Sequence, residues 1–320
     1  MSKKRILLIG AKDDPHITGI CTELKILSEN FVVLDEFKFS DSFKVKFHNG
    51  KTEGRLQIGK DKVTNKDVKS VWNSSALRIS GMKKIIPKAE RFALAEWTEG
   101  IGSLWQSFCV NWINHPTAIS LSVNRLKQLQ LANMIGLKTP NTIVTNVPEE
   151  LSKFYRECKH NIVAKTLRSS EGLPEGKMIF TTKISENSLK KSNELRYAPC
   201  MFQEYISKKT EIRANVIGSK IHAVEIHSQK SEKTKHDWRH YDDFKKTPYT
   251  PINLPRQISE KIRRLVKSMN LKFGAADLIR TPNNEYVFLE VNSNGRWWWI
   301  QELTGVNIAK DIALHLSKGG

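Results

Sequence analysis

The residues with the clearest chemical potential lie in the last predicted hairpin of the chain. Strands FGAADLIR and EYVFLEVN flank the turn TPNN, and a symmetric register places Asp277 opposite Glu290 and Ile279 opposite Phe288. Carboxylates that face each other across two strands repel unless a cation lies between them. Asn292 follows Glu290 by two residues and shares its face. This all-oxygen set predicts a Mg²⁺ site. The alternative is a solvent-exposed hairpin face, which the apolar flanks of both acids disfavour.

Two lysines are candidates for binding phosphate oxygens beside such a metal. Lys165 interrupts the apolar strand IVAKTL just before a glycine-containing loop at 169–177, so a fixed cation would stand beside a mobile cover. Lys127 lies on a predicted helix face within NRLKQLQLA. For each lysine the alternative interpretation is an ordinary solvated side chain.

Three further residues extend the candidate site. Glu211 and Arg213 alternate onto one face of a predicted strand, where an acid suits ribose hydroxyls and an arginine suits a carboxylate or phosphate. Arg239, in the polar segment HDWRHYD, could reach the same place, or it could form an exposed salt bridge.

The elements that must position these side chains predict an α/β chain. Gly10 after the first strand is not part of a GxGxxG motif, so a dinucleotide-binding fold is disfavoured. The predicted elements are a strand–helix–strand unit at 5–36, a β-meander at 37–71, a helix at 91–108, a helix capped by Ser122 and ending at Met134, strands TIVTN, NIVAKTL, MIFTT and CMFQEYI, a hairpin at 211–228, a helix at 256–271, the terminal hairpin and a final helix.

Composition narrows the class of protein. The 320 residues suffice for about two domains, and 52 basic against 33 acidic residues give a net charge of +19, which predicts an acidic partner or substrate. No apolar run approaches the ~20 residues that span a bilayer, so a soluble, cytoplasmic protein without membrane partners is expected. The four cysteines lack metal-ligand spacing and are expected to be reduced thiols.

Together, these residues resemble a known superfamily. The ordered series of Lys127, Lys165 with its loop, QEYI at 203–206, EIR at 211–213, and Asp277 with EVN at 290–292 is similar to ATP-grasp enzymes from about residue 120 onward. More narrowly, AVEIHSQKSEKTKHDWRHYD and LEVNSNGRWWWIQELTG resemble the microviridin-type macrocyclases that mature graspetides. Where that family carries a Trp followed by paired arginines, this sequence reads VWNSSALRI.

The resemblance implies a fold and domain boundaries. It implies an ATP-grasp fold of the α/β (α+β) class, with an N-terminal α/β domain at 1–120, a central domain at 121–206 and a C-terminal domain at 207–320 that hold ATP between them.

The resemblance also implies roles for individual residues. Lys127 and Lys165 would contact ATP phosphates, Glu204, Tyr205 and Ile206 would meet adenine, Glu211 would bind ribose, Arg239 would hold the terminal phosphate, Arg213 would orient the carboxylate to be activated, and Asp277, Glu290 and Asn292 would hold magnesium. For adenine there is also a physical basis, because the backbone of Tyr205 and Ile206 could pair with the base edge between apolar walls from Phe202 and Ile206.

The activity implied is ATP-dependent peptide macrocyclisation with ATP and Mg²⁺ as cofactors. A Glu or Asp side chain of a ribosomal precursor peptide would be phosphorylated and then joined to a Ser or Thr hydroxyl or a Lys amine, with the ester or amide choice open. The basic surface would attract an acidic core, and the lysine-rich segment 184–199 is a candidate leader surface. Of the residues in WWW at 297–299, two are expected in the core and one in the peptide groove.

Two alternative functions are weighed against this one, and a homodimer is left open. An ATP-grasp ligase of free amino acids would use the same nucleotide site. A basic nucleic-acid-binding protein is less favoured, because the lysines are dispersed and no RNP, zinc-finger or helix-turn-helix signature is present.

Overall fold

The structure, a computed structural model, describes residues 4–38, 41–74, 78–80, 88–167, 179–235, 237–239 and 248–319. Its strands form five sheets flanked by helices, which confirms the predicted α/β class. The strands are β1 Arg5–Ile9, β2 Phe31–Leu34, β3 Glu36–Phe37, β4 Ser42–His48, β5 Lys51–Ile58, β6 Asp61–Thr64, β7 Val68–Asn73, β8 Arg78–Ile79, β9 Asn111–Ile113, β10 Thr142–Thr145, β11 Ile162–Lys165, β12 Thr182–Lys183, β13 Cys200–Glu204, β14 Thr210–Ile217, β15 Lys220–Ile226, β16 Tyr249–Ile252, β17 Phe273–Arg280 and β18 Tyr286–Asn292. The α-helices are α1 Pro15–Ile26, α2 Glu90–Gln106, α3 Pro116–Ser122, α4 Arg125–Met134, α5 Pro148–Glu157, α6 Glu186–Lys190, α7 Arg256–Ser268, α8 Trp298–Thr304 and α9 Ile308–Ser317.

The N-terminal region is built on a parallel sheet in the order β2-β1-β7-β9. Its central strand β1 is an apolar run in which residues 6–9 are all buried, as expected of a strand that is covered on both faces. The predicted strand–helix–strand unit and the meander β4-β5-β6 are both present. Asp14 caps α1 by accepting a hydrogen bond from the His16 amide.

The prediction of a helix that is capped by Ser122 and runs to Met134 is wrong at its start. The chain forms two helices here, α3 and α4, and the residue that caps the second is Asn124, whose side chain accepts from the Lys127 amide. Ser122 instead ends α3, and its hydroxyl donates back to the Ile119 carbonyl. Serine hydroxyls can either cap a following helix or bond to the preceding turn, and the sequence does not distinguish the two.

Two antiparallel sheets follow along the chain. The central sheet has the order β10-β13-β11-β12, and the C-terminal sheet has the order β16-β15-β14-β17-β18. The predicted strand MIFTT is wrong as placed, because the described part of this segment pairs only from Thr182, where β12 meets β11. The hairpins at 211–228 and 273–292 are present as predicted.

Helix α9 completes the N-terminal core although it lies near the other end of the chain. Its apolar side chains Ile308, Ile312 and Leu316 are fully buried in one cluster with residues of β1 and α1. At its end, the carbonyl of Leu316 accepts from the Ser70 hydroxyl and that of Ser317 from Lys69 Nζ. These polar contacts satisfy carbonyls that a helix end leaves unpaired.

No helix among the described residues is long and apolar enough to cross a membrane. The four cysteines are free thiols, as predicted.

Asn114 joins the N-terminal region to the strand that carries Asp277. Its amide nitrogen donates to the carbonyls of Phe273 and Ser293 at 2.8 Å each. Its amide oxygen accepts from the backbone of Lys272 at 2.8 Å and of Phe273 at 3.0 Å. The side chain is buried, so these bonds form away from water and fix the start of β17.

Replacing Asn114 with alanine should lower the free energy of unfolding by about 2–4 kcal/mol, because several buried backbone groups lose their partner. Chemical denaturation followed by circular dichroism measures the loss. Asn193→Ala, at an exposed position, is the matched control and should change little. Equal stability of the two variants would contradict the role given to Asn114.

Candidate active site

Two opposed carboxylates form the centre of the site. Asp277 on β17 pairs with Glu290 on β18, as predicted. A bulge follows, so that Leu278 pairs with Phe288 and Ile279 with Val287, and the predicted pairing of Ile279 with Phe288 is wrong. The bulge leaves Asp277 opposite Glu290, but it shifts by one residue every strand pair that lies between the bulge and the turn.

An arginine accompanies each carboxylate. Arg213 Nε lies 2.9 Å from Asp277 Oδ1, and Arg125 Nε lies 2.7 Å from Glu290 Oε2. Arg213 was predicted to belong to the site from strand alternation. Arg125 was missed, although it lies two residues before Lys127, because nothing in a helical segment indicates which distant acid its first residue will meet.

The two acids differ in pKa. Burial raises the pKa of Asp277 to about 6, although Arg213 opposes the shift, and neighbouring Glu290 adds to it. Burial also acts to raise the pKa of Glu290, but Arg125 and Lys165 outweigh it and the pKa is lowered. The pair therefore carries unequal proton affinity, as expected of like charges held together.

Asn292 completes the oxygen set and lies where the alternation predicted. Its amide nitrogen is 3.1 Å from Asp277 Oδ2 and 3.3 Å from Glu290 Oε1. No group of three or more His, Cys, Asp or Glu side chains converges in the described residues, so a cation here would have two carboxylates, one amide and water or substrate oxygens. Such a ligand set fits Mg²⁺, which commonly keeps waters and binds phosphates.

Lys165, at the end of β11, faces these acids from the central sheet. Its Nζ donates to Gln203 Oε1 at 2.7 Å, and Gln203 Nε2 donates to Thr142 Oγ1 at 3.0 Å. Burial lowers the pKa of the Lys165 ammonium, and the negative charge of Glu290 opposes this shift only in part. Arg125 also hydrogen-bonds the carbonyl of Thr166, so the same guanidinium connects the end of β11 to the acid pair.

Arg239 is held in a fork by a neighbouring acid. Its Nε and Nη2 lie 2.9 and 2.6 Å from the two oxygens of Asp237, which also accepts from the Thr181 amide. The hydrogen bonds to Asp237 raise the pKa of Arg239. Burial opposes the rise, and the negative charges of Asp237, Glu290 and Asp277 increase it. Burial acts to raise the pKa of Asp237, but the Arg239 contact brings it down to about 2. Arg239 is thus an oriented cation near the acid pair.

Glu211 lies on the same strand as Arg213, and one of its carboxylate oxygens already accepts hydrogen bonds within the protein. Its Oε1 accepts from Lys208 Nζ at 2.8 Å and from Ser228 Oγ at 2.9 Å. Lys208 was not predicted as a site residue. It lines a cavity of about 460 Å³ together with Lys183, Tyr205 and Gln229, which adjoins the segment expected to meet adenine.

That adenine segment requires a correction. The Tyr205 amide donates to the Asn161 carbonyl at 2.9 Å and so is not offered to a base edge, whereas the Tyr205 carbonyl accepts from Asn161 Nδ2 at 3.3 Å, a bond that uses one of its two lone pairs. Phe202 is buried in the core beneath α5 and cannot form a wall. Both errors arise because a sequence does not show which strand groups the neighbouring segment already uses.

The remaining residues of this segment and Lys127 are placed as follows. Glu204 Oε2 accepts from Asn141 Nδ2 at 3.0 Å, and Ile206 is half-buried beyond the end of β13. Lys127 is exposed in the first turn of α4, just beyond Arg125. The predicted cover at 169–177 and part of VWNSSALRI lie outside the described residues.

The three tryptophans after β18 separate into different surroundings. Trp297 is fully buried, and Trp298 packs so closely on Gly19 that a methyl group there would come within 2.4 Å of the indole. Trp299 is half-buried and contacts the rings of Trp238 and Tyr249 at 5.1 and 5.0 Å. Trp238 in turn lies 5.8 Å from the Arg213 guanidinium, which connects Trp299 to the site.

The fold that positions these residues is matched in known proteins. Residues 122–316 match the model of the RimK-like ATP-grasp domain, which is more than half of the chain. The chain belongs to the RimK-like ATP-grasp family. This confirms the resemblance drawn from the sequence, and with it the ATP-grasp fold and an ATP-dependent ligase.

Solved structures resemble this ATP-grasp protein over nearly its whole length. A RiPP-associated ATP-grasp ligase of Chryseobacterium gregarium, in complex with ADP and a leader and core peptide, has a TM-score of 0.90 and 30% identity and covers 98% of this chain and 97% of its own. The macrocyclase MdnC of Microcystis aeruginosa, bound with precursor peptide MdnA, has a TM-score of 0.85 and 26% identity, covering 98% and 99%.

Curated relatives carry a different name. A protein of Chromohalobacter salexigens named probable alpha-L-glutamate ligase is 28% identical over 209 residues, which is 64% of this chain and 67% of the relative.

Asp277→Asn should abolish turnover yet stabilise the metal-free protein by about 3 kcal/mol at pH 7.5. The folded-state pKa of about 6 exceeds the ordinary 3.8, so an ionised Asp277 opposes folding. The unfavourable contribution of ionised Asp277 to folding grows from about pH 4 to 6 and is constant above pH 6. The stability that the variant gains over the parent should therefore shrink as the pH is lowered towards 4. Thermal unfolding in EDTA across this pH range measures it.

Asp311→Asn is the matched control with the opposite sign. Burial acts to raise the pKa of Asp311, but Lys220 and His222 lower it overall. Its ionised form therefore favours folding, and its removal should destabilise the protein at pH 7.5. An Asp277 variant that is less stable than the parent at pH 7.5 would contradict the electrostatic account.

Proposed function

We propose that this ATP-grasp ligase is a peptide macrocyclase of the graspetide type. It would activate Glu or Asp side chains of a ribosomal precursor peptide and join them to hydroxyls or amines of the same peptide. The observation that carries the proposal is the oriented Arg213 beside the Asp277–Glu290 pair, because it can hold a substrate carboxylate next to a phosphoryl donor. The likeness to peptide-bound ligases of similar architecture supports it.

The residues take the roles expected from the sequence. Mg²⁺ held by Asp277, Glu290 and Asn292 would neutralise charge on the ATP phosphates. Lys165 and Lys127 would contact the phosphates from the central domain, and Arg239 would hold the terminal one. Arg125 joins the proposal as the residue that fixes Glu290.

The nucleotide would lie between the two sheets. Ile206 would meet adenine, and its amide is available for a base edge because no described residue accepts a hydrogen bond from it. Glu204 and Tyr205 would flank the base beside it, Tyr205 lines the cavity of about 460 Å³, and Glu211, held by Lys208 and Ser228, would offer its remaining oxygen to ribose.

The reaction would proceed in two displacements. A substrate carboxylate oxygen attacks the γ-phosphorus of ATP, the bond to the β-phosphate oxygen breaks, and ADP leaves with an acylphosphate formed. A hydroxyl or amine then attacks the acyl carbon, the carbon–oxygen bond to phosphate breaks, and inorganic phosphate departs with the proton of the attacking group. Arg213 and Arg239 would stabilise the negative charge that develops in both steps.

A charged peptide suits the surface of the protein. With a net charge of +19 the protein would draw an acidic core towards the site. The segment 184–199 keeps its proposed role as leader surface: Lys190 and Lys191 are exposed, and Tyr197 is 91% exposed. A leader bound there would raise the effective concentration of the core at the site.

A second candidate function is ligation of a free amino acid. The curated relatives named alpha-L-glutamate ligase favour it, because they match the ATP-grasp region. Both functions would share the nucleotide site and the first chemical step, and they differ in the acceptor.

The mass of the product distinguishes the two functions. Purified protein is incubated with ATP, Mg²⁺, free glutamate and acidic peptides encoded beside its gene, and the peptides are then weighed. Macrocyclisation predicts the loss of one water per link, because both partners lie in one chain. A gain equal to the mass of an amino acid less one water would instead establish the ligase, and Glu290→Gln protein is the inactive control.

Arg213→Lys should reduce product formation by about a hundredfold while ATP binding is kept. The lysine retains a charge beside Asp277 but lacks the planar fork that aligns a carboxylate. Product yield by mass spectrometry and ATP affinity by calorimetry measure the two effects. Arg264→Lys, at an exposed position of α7, should match the parent, and an Arg213→Lys variant with parental yield would exclude Arg213 from holding the carboxylate.

A further inference from the structure

A chain of hydrogen bonds crosses the central sheet and ends at Lys165. Lys165 Nζ donates to Gln203 Oε1 at 2.7 Å, and Gln203 Nε2 donates to Thr142 Oγ1 at 3.0 Å. The Thr142 hydroxyl donates in turn to the Pro140 carbonyl, also at 3.0 Å. The chain therefore links a side chain on β11 to β13, to β10 and to the backbone that precedes β10.

The strand register explains why these side chains meet. Gln203 pairs with Thr142 on one side and with Val163 on the other, so all three share one face of the sheet. Lys165 follows Val163 by two residues and shares that face, diagonal to Gln203. Diagonal neighbours lie within reach of long side chains. The contact between Lys165 and Gln203 is therefore built into the pairing of β11 with β13.

The donors in this chain can point in only one direction. A lysine ammonium has donors only, so the amide oxygen of Gln203 must face Lys165 and its NH₂ group must face Thr142. The Thr142 hydroxyl accepts from that group and uses its own proton for Pro140. Gln203 is 2% exposed, so water does not compete for its amide. The position of Lys165 Nζ is thus fixed by neutral groups that are themselves held in place.

A neutral acceptor holds Lys165 without cancelling its charge. Glu290 lies near enough to oppose the lowering of the Lys165 pKa, yet the two side chains form no salt bridge within the described residues. Arg125 lies 2.7 Å from Glu290 Oε2, and Gln203 takes one of the three N–H donors of Lys165. Nζ makes no other hydrogen bond in the described part of the chain, so two donors remain for phosphate oxygens.

We propose that Gln203 and Thr142 are positioning residues that aim Lys165 at the phosphate groups of the nucleotide. The inference rests on the proposed function, specifically on the phosphate contact assigned to Lys165. Gln203 directly precedes the segment 204–206 that would meet the base. The strand that leads into the base-binding segment therefore also places the cation that meets the phosphates.

Affinities for ADP and for adenosine test the proposal. Gln203→Met removes the acceptor with little change in size and should weaken ADP binding about tenfold, as expected for a lost hydrogen bond to a charged group. Adenosine carries no phosphate, so its affinity should be unchanged. Calorimetry in the presence of Mg²⁺ measures the ADP affinity, and saturation-transfer NMR measures that of adenosine.

Two further variants separate the charge of Lys165 from its position. Gln203→Glu adds an anion that pairs with Lys165 and repels phosphate, so it should weaken ADP binding more than Gln203→Met does, again with adenosine unaffected. In Lys165→Met protein, the addition of Gln203→Met should cause no further loss, because the side chain through which Gln203 acts is gone.

Thr142 supplies a test that leaves the buried amide in place. Thr142→Val removes the hydroxyl and should weaken ADP binding about threefold, whereas Thr142→Ser keeps the hydroxyl and should match the parent. Thr145→Val is the matched control, because Thr145 is half-buried on the same strand and its hydroxyl accepts from the Val147 amide, outside the chain of bonds. If Gln203→Met protein does not fold, the two Thr142 variants decide the question.

The outcomes separate this inference from the proposed function. Parental ADP affinity in Gln203→Met protein, or an equal loss for ADP and adenosine, would overturn the positioning role. Parental ADP affinity in Lys165→Met protein would remove the phosphate contact itself, and with it the inference. A gain in peptide mass in the product assay would exclude macrocyclisation and leave the inference standing, because both candidate functions use the same nucleotide site.

Discussion

The repulsion between Asp277 and Glu290 is the constraint around which the site is built. Two carboxylates on paired strands are tolerated because cations approach from separate parts of the chain: Arg213 from the adjacent strand, Arg125 from α4, and Lys165 from the facing sheet. These cations do not cancel the cost completely, since burial keeps the pKa of Asp277 at about 6. A divalent cation bound between the two acids, as proposed above, would relieve the residual repulsion.

The N-terminal region contributes more than a neighbouring surface. Asn114 fixes the start of β17, and His16 fixes the backbone of Trp297 and Trp298, so both ends of the hairpin that carries the acids are held by residues remote in sequence. Trp299 then extends the chain of contacts through Trp238 to Arg213. The position of the guanidinium is thereby coupled to how the N-terminal region packs.

Strand alternation and hairpin symmetry were sufficient to predict the fold class, the opposition of Asp277 and Glu290, and the placement of Asn292 and Arg213, because these are properties of local geometry. The bulge after Asp277, the occupied backbone of Tyr205 and the true cap at Asn124 were not predicted, since each depends on hydrogen bonds that compete within the folded chain. Arg125 escaped notice for a related reason: a basic residue in a helix carries no local signal of an acidic partner far along the chain. Lys208 lies only three residues before Glu211, and it was missed because Glu211 was considered as a ribose ligand without regard to its neighbours.

The docking of α9 on the N-terminal sheet has a consequence for biosynthesis. β1, α1 and β7 are translated before α9, yet part of their apolar cluster packs against Ile308, Ile312 and Leu316, and the Ser70 hydroxyl donates to the Leu316 carbonyl of that helix. The parallel sheet must therefore remain incompletely covered while some two hundred further residues are translated. A nascent chain of this protein would expose part of its apolar sheet face to chaperones until α9 is synthesised, and truncation before residue 308 would leave that part uncovered.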